Sequence, residues 1–92
     1  MTARITVYTK PGCGGCIGTK RTLEKAGVDF EEKDVRDPEH MAEAKATGFL
    51  GAPIVVVDPS LGLEVSAWTG FRPDYLQDVI DKLEGKHADV RD

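Results

Sequence analysis

Cys13 and Cys16 are the only cysteines of the chain. They stand two glycines apart in Lys10-Pro11-Gly12-Cys13-Gly14-Gly15-Cys16. The thiolate, not the thiol, is the nucleophile of thiol–disulfide exchange. A free cysteine has a pKa near 8.5, so only about 3% is ionised at pH 7. At a helix N-terminus, unpaired N–H groups and the positive end of the macrodipole favour the anion. In a Cys-x-x-Cys setting the value often falls to about 7, giving roughly 15-fold more nucleophile, partly offset by weaker intrinsic nucleophilicity. Cys13 falls just outside a helix and is expected to be the exposed attacking thiolate. Cys16 lies one turn in, on the buried stripe. It is expected to stay protonated until it attacks the mixed disulfide and releases the substrate as dithiol. Lys10 is expected to add positive charge near Cys13.

Other uses of the pair are weaker. A structural disulfide closing so small a loop constrains the unfolded state little. A zinc site needs two more ligands, and the only histidines are His40, in a charged helix, and His87, near the end of the chain. No metal or other cofactor is therefore expected within one chain. A metal or iron–sulfur cluster shared by two chains is the binding-module alternative. Ala52-Pro53 is a second clue. A proline there either caps the first position of a strand or is a cis-proline whose loop presents free backbone groups. With the first strand beside the third, that loop lies next to Cys13, and a bound peptide pairs with it like an added strand.

Seven elements position these residues. Arg4–Thr9 alternates and is rich in β-branched and aromatic types, so it is a strand, broken by Pro11-Gly12. From Gly14 to Ala26, Cys16, Thr19, Leu23 and Ala26 recur at helical spacing, with Gly27 as the stop. Gly14, Gly15 and Gly18 weaken that helix by up to about 1 kcal/mol each. Either the backbone there adopts unusual angles, or another molecule's backbone comes close. Val28–Val35 reads as a partly exposed strand. Asp37 caps a helix with Pro38 at its first position, ending at Gly48. Ile54–Val57 is an uninterrupted β-branched run, expected to be a central strand covered on both faces. Asp58–Gly62 is a turn, and Leu63–Trp68 alternates as the second strand of an antiparallel hairpin. Pro73 opens the last helix, where Leu76, Val79, Ile80 and Leu83 form the clearest stripe, with Gly85 as its stop. The order β-α-β-α-β-β-α predicts an α/β fold, a four-stranded mixed sheet flanked by three helices, with the first two strands parallel.

Composition bounds the function. The 92 residues are 40% hydrophobic and 30% charged, with a net charge of −4. One domain is expected over residues 1–85, followed by a disordered tail over 86–92. The acidic balance argues against nucleic-acid binding. No apolar run approaches the roughly 20 residues of a membrane helix. The opening Met1-Thr2-Ala3-Arg4-Ile5 has no signal-peptide core, so a cytoplasmic location is expected, where close cysteines serve catalysis more often than stability.

The motifs carry a family resemblance. Cys13-Gly-Gly-Cys16 after the first strand, Ala52-Pro53 before the third and the element order resemble the thioredoxin fold in its small glutaredoxin form. Trp68-Thr69-Gly70-Phe71-Arg72-Pro73-Asp74 is similar to the Trp-Ser-Gly-Phe-Arg-Pro-Asp signature of NrdH redoxins, with Thr69 in place of Ser. Tyr8-Thr9-Lys10-Pro11, Thr19-Lys20-Arg21, Leu23 and Glu24-Lys25-Ala26-Gly27 also fit. The resemblance covers about residues 4–84. It implies thioredoxin-like activity in a glutaredoxin-like shape: a monomeric protein-disulfide reductase, recharged by thioredoxin reductase and passing electrons to the large subunit of class Ib ribonucleotide reductase. It implies Cys13 and Cys16 for catalysis, with Lys10, Pro11, Gly14, Gly15 and Pro53, as the cis-proline, in support. Ala52, Trp68, Thr69, Gly70, Phe71 and Arg72 face partners. Taken singly, Trp68 equally well ends a strand against the core, Phe71 staples the last helix and Arg72 is a solvated charge. Together they favour a recognition surface, since aromatic and Arg residues anchor interfaces. The alternative is a glutaredoxin turned over by glutathione or another small thiol. Such proteins commonly place Gly-Gly and an Asp after the last strand, where this chain has Gly70-Phe71-Arg72-Pro73. The two spacer glycines replace the bulkier residues usual in NrdH redoxins, and a more open, less restrained turn is expected there.

Overall fold

A computed structural model describes residues 4–83. The expected stop at Gly85 and the tail from residue 86 lie outside the described residues. Strand β1 (Ile5–Thr9) is followed by α1 (Gly14–Lys25), β2 (Glu31–Asp34), α2 (Pro38–Ala46), β3 (Ile54–Val57), β4 (Ala67–Thr69) and α3 (Pro73–Leu83). The sheet order is β2-β1-β3-β4. β1 pairs parallel with β2 and antiparallel with β3, and β3 pairs antiparallel with β4.

Period-two alternation sends the two faces of the central strands to different layers. Ile5 and Val7 of β1 and Val55 and Val57 of β3 meet Leu23 of α1 and Leu76, Val79 and Ile80 of α3 in the larger core. Tyr8 and Ile54 face the other way, against Ala44 of α2, with Val35, Phe49 and Val56 around them. The β-branched run of β3 is thus covered on both sides, as its composition predicts. Asp37 caps α2 by accepting the Glu39 N–H at 2.8 Å, with Pro38 at the first helical position.

Two strands are shorter than their sequence pattern. β2 begins at Glu31 rather than Val28, because the Val28 N–H is already committed to Leu23 O (3.0 Å) while the Gly27 N–H bonds Glu24 O (3.0 Å). That pair closes the C-terminus of α1 as a Schellman motif, with Gly27 at φ +72°. β4 spans Ala67–Thr69 rather than Leu63–Trp68. After a tight helical turn at Pro59–Leu61, Gly62 takes φ +72°, and Leu63 and Val65 lean on the larger core without joining the ladder. Their alternation records burial, not pairing.

Trp68 is a correction of function as well as of boundary. It is 3% exposed on β4, opposite Val55, and its ring centroid lies 5.1 Å from that of Tyr75. The strand's alternation turns it inward, so it belongs to the core and not to a partner-facing surface.

Candidate active site

The sequence builds the centre of the site by ending a strand against a helix. β1 stops at Thr9, Gly12 reverses the chain at φ +72°, and Cys13 takes extended angles as the N-cap of α1. Its sulfur accepts the Cys16 N–H at 3.1 Å, occupying one of the otherwise unpaired donors of the helix start. Cys13 and Cys16 form a disulfide, with Cα atoms 5.2 Å apart. A hydrogen bond to the charged form favours a thiolate, so an N–H held in this place would stabilise the Cys13 anion of the dithiol. Cys13 is 9% exposed and Cys16 2%. Cys13 is therefore the outer sulfur, but it is not the freely exposed group that its turn predicts. It opens into a recess of about 270 Å³ walled by Thr9 and the Lys10–Gly12 turn on one side and by Ile17, Lys20, Glu32, Asp34 and Arg36 on the other.

That recess carries charge. Lys10, Lys20 and Arg36 line it against Glu32 and Asp34, an excess of one cation in a chain whose net charge is −4. The β1–β2 register sets Asp34 beside Thr9 and Glu32 beside Val7. Glu32 accepts from Lys20 Nζ at 3.0 Å and from Thr9 Oγ1 at 2.9 Å. The Lys20 ammonium, more than the Thr9 hydroxyl, holds its carboxyl below the usual glutamate range, against a smaller opposing effect of burial. Arg36 does the same for Asp34, at 2.7 Å. A carboxylate whose folded pKa is depressed adds stability above its unfolded pKa, and loses that contribution as pH falls through the folded one. The wild-type chain should therefore be more stable than Glu32→Gln at pH 7, with the gap closing below about pH 4. The Glu32 side chain is 43% exposed, so the gap is at most about 1 kcal/mol. Urea midpoints of both proteins from pH 7 to pH 3 measure it.

Across the redox turn lies the loop before β3. The Ala52–Pro53 peptide bond is cis, and Pro53 is fully buried. β4 and the loop after it are tied to this proline. Thr69 Oγ1 donates to Pro53 O at 3.2 Å and to Leu50 O at 3.3 Å, and the Gly70 N–H donates to Pro53 O at 2.9 Å. Gly70 sits at φ +90°, a conformation that favours glycine. Phe71 is 44% exposed. Arg72 is half-exposed, pairs with Asp74 at 2.9 Å and lies 4.1 Å over the Tyr75 ring. Lys10 also borders a second recess of about 210 Å³, walled by Val35, Met41, Ala44, Phe49 and Ile54 and running to Ala52. Its rim holds Leu50, 88% exposed, and Met41.

The structure thus brings Lys10, Pro11, Cys13 and Cys16 to one recess, and places Ala52 and Pro53 beside it. Thr69 and Gly70 act as ties of the proline loop. The spacer is not open: Gly14 and Gly15 are regular helical residues of α1, and neither has positive φ. Sequence reasoning missed Glu32, Asp34 and Arg36, which reach the site only through the strand register. It also missed the apolar recess, whose wall residues are scattered from Val35 to Ile54. Among the described residues, no group of three or more His, Cys, Asp or Glu is placed to hold a metal ion, and no helix is long and apolar enough to cross a membrane.

Residues 5–61 match the glutaredoxin family model. The glutaredoxin-like protein NrdH of Escherichia coli is 40% identical over 74 residues, covering 79% of this chain and 84% of that one. The gene 56 protein of Mycobacterium phage L5 is 35% identical over 81 residues, covering 86% and 74%. The solved structure of the Escherichia coli NrdH-redoxin, a glutaredoxin-like protein with a thioredoxin-like activity profile, superposes with a TM-score of 0.68 at 39% identity, covering 82% of this chain and 92% of that one.

Proposed function

The chain belongs to the glutaredoxin family, among its glutaredoxin-like NrdH proteins, and from that we propose a cytoplasmic, monomeric dithiol reductase of protein disulfides. It is recharged by thioredoxin reductase and serves the large subunit of class Ib ribonucleotide reductase. The observation that carries this reading is the Cys13–Cys16 disulfide at the start of α1, with Cys13 at the cap and the Pro53 loop across from it.

In the reaction, the Cys13 thiolate attacks one sulfur of the partner's disulfide. The partner S–S bond breaks, a Cys13–partner disulfide forms, and the first partner sulfur leaves as thiolate and takes a proton from water. Cys16 then gives its proton to water and attacks the Cys13 sulfur. The mixed disulfide breaks, the second partner sulfur leaves and is protonated, and Cys13–Cys16 forms. Two electrons have passed to the partner, and the reductase returns two electrons from NADPH as a hydride equivalent, the second proton of the restored dithiol coming from water. Lys10 and the N–H groups of α1 favour the Cys13 anion. Ala52 pairs its backbone with an extended partner segment. The apolar recess rimmed by Leu50 and Met41 takes a side chain of that segment.

Arg72 supports thioredoxin reductase over glutathione as the source of electrons. Its guanidinium is already engaged by Asp74 and Tyr75, in the stretch where glutathione-using relatives keep Gly-Gly and Asp. Oxidation of NADPH is followed with the chain, a disulfide substrate and either thioredoxin reductase or glutathione plus its reductase. Turnover through the first and little through the second is expected. The reverse pattern replaces this reading with the glutathione-linked one.

A further inference from the structure

Gly15 and Gly18 stand three residues apart in α1 and share one helical face. A methyl group at Gly15 would lie 3.1 Å from Pro53 Cδ and 3.6 Å from both Cβ and N of Phe71. One at Gly18 would lie 3.4 Å from two carbons of the Phe71 ring. At Gly14 it would meet nothing within 4 Å. The close approach implied by these glycines is therefore made by the chain's own side chains, on one side of the helix only.

Glycine is the poorest helix former after proline. A helix start with Gly14, Gly15 and Gly18 among its first five residues has little intrinsic tendency to stay helical, yet all three are helical. The nearest side chains at the two contacted positions are Pro53 and Phe71. Phe71 is itself anchored: Thr69 and Gly70 just before it are bonded to Pro53 O, and Leu76 N–H bonds Arg72 O just after it. The peptide unit between Gly15 and Cys16 supplies the N–H that Cys13 Sγ accepts.

We propose that Phe71 is a positioning residue for the redox turn: its ring, seated on Gly18, with its Cβ and the Pro53 ring against Gly15, holds the Gly15–Cys16 peptide so that its N–H faces the Cys13 sulfur. The proposal rests on the reading of Cys13 as the attacking sulfur and assigns Phe71 a role inside the chain, separate from partner contact. Phe71 belongs to neither buried core cluster and is 44% exposed, so its removal spares the main packing. The two glycines are what allow the Phe71 ring, at Gly18, and the Pro53 ring, at Gly15, to lie directly on helix backbone beside a cysteine pair.

The test is the pH profile of Cys13 alkylation by iodoacetamide in the reduced protein. The reagent is too small to report partner recognition. In Phe71→Ala the profile is expected to move to higher pH, with alkylation at pH 7 slower by about threefold to tenfold, since a weakened hydrogen bond raises the thiol's proton affinity. Phe71→Tyr keeps a ring on Gly18 and should restore the profile. Gly18→Leu displaces the ring while improving helix propensity, and should slow alkylation as Phe71→Ala does. It thereby separates positioning from stability, which circular dichroism and urea unfolding follow in each variant. Wild-type profiles in folded Phe71→Ala and Gly18→Leu would overturn the proposal. A chain that fails to reduce disulfides, but whose alkylation slows in both variants, overturns the proposed function and keeps the positioning role.

Discussion

Cys13→Ser is expected to reduce insulin or partner disulfides on the order of 1000-fold more slowly than the wild type, or not at all. Cys16→Ser should stop one step later, with the partner still attached. A serine hydroxyl is a far weaker acid than a thiol, so at neutral pH it is almost wholly protonated and does not attack a disulfide. Loss of the nucleophile removes the first step outright, and the inner sulfur cannot take over, since Cys16 is 2% exposed. In Cys16→Ser the first exchange still runs at Cys13, but no second thiolate lies within reach to release the partner. The Cys13–partner disulfide accumulates and appears as a mass increment that dithiothreitol removes. Each variant should keep the wild-type fold, because both sulfurs lie at the start of α1 outside the two core clusters. An adduct formed by Cys13→Ser and absent from Cys16→Ser would exchange the two roles. Full turnover of Cys16→Ser with glutathione would favour the small-thiol reading, because a single cysteine suffices when glutathione resolves the intermediate.

Much of this frame is legible in the residues because local and tertiary requirements agree. Ile54–Val57 reads as a central strand because β-branched residues fill both faces of a sheet buried on both sides. Leu76, Val79 and Ile80 read as a helix because the core takes one stripe of α3. Asp37-Pro38 reads as a helix start because cap and first residue have separate chemical signatures. Legibility fails where one pattern serves two purposes. Val28 is apolar and β-branched, yet its N–H closes α1 and is lost to β2. Leu63 and Val65 alternate like a strand but serve only as a lid on the core. At the site, the cysteine pair announces itself by composition, whereas Glu32, Asp34 and Arg36 matter only once β2 is registered against β1. Gly14, Gly15 and Gly18 carry a readable signal, glycines where a helix needs better formers, but not the identity of the Pro53 and Phe71 side chains that approach two of them.

Trp68 gives the sharpest contrast between motif and position, and Trp68→Ala is expected to lower stability by about 3–5 kcal/mol, the usual range for emptying a large aromatic site in a core. A domain of this size has about 5–15 kcal/mol in all, so the urea midpoint should fall by a large fraction. Far-UV circular dichroism is the probe, since the only tryptophan is gone. Trp68→Phe should behave differently. The buried indole Nε1 has no hydrogen-bond partner among the described residues, and an unsatisfied buried donor costs about 1–3 kcal/mol. Phenylalanine removes that donor and keeps a ring near Tyr75, so the smaller volume and the lost penalty act in opposite directions. The net change should stay within about 1.5 kcal/mol. Neither variant should raise the KM for a protein disulfide once activity is expressed per folded molecule, because a side chain 3% exposed offers a partner almost nothing to touch. The signature around it is exposed at Thr69 and from Phe71 to Asp74. A Trp68→Ala protein with an unchanged urea midpoint and a raised KM would return the indole to the recognition surface. It would also require β4 to turn over in solution, against the register that sets Trp68 opposite Val55.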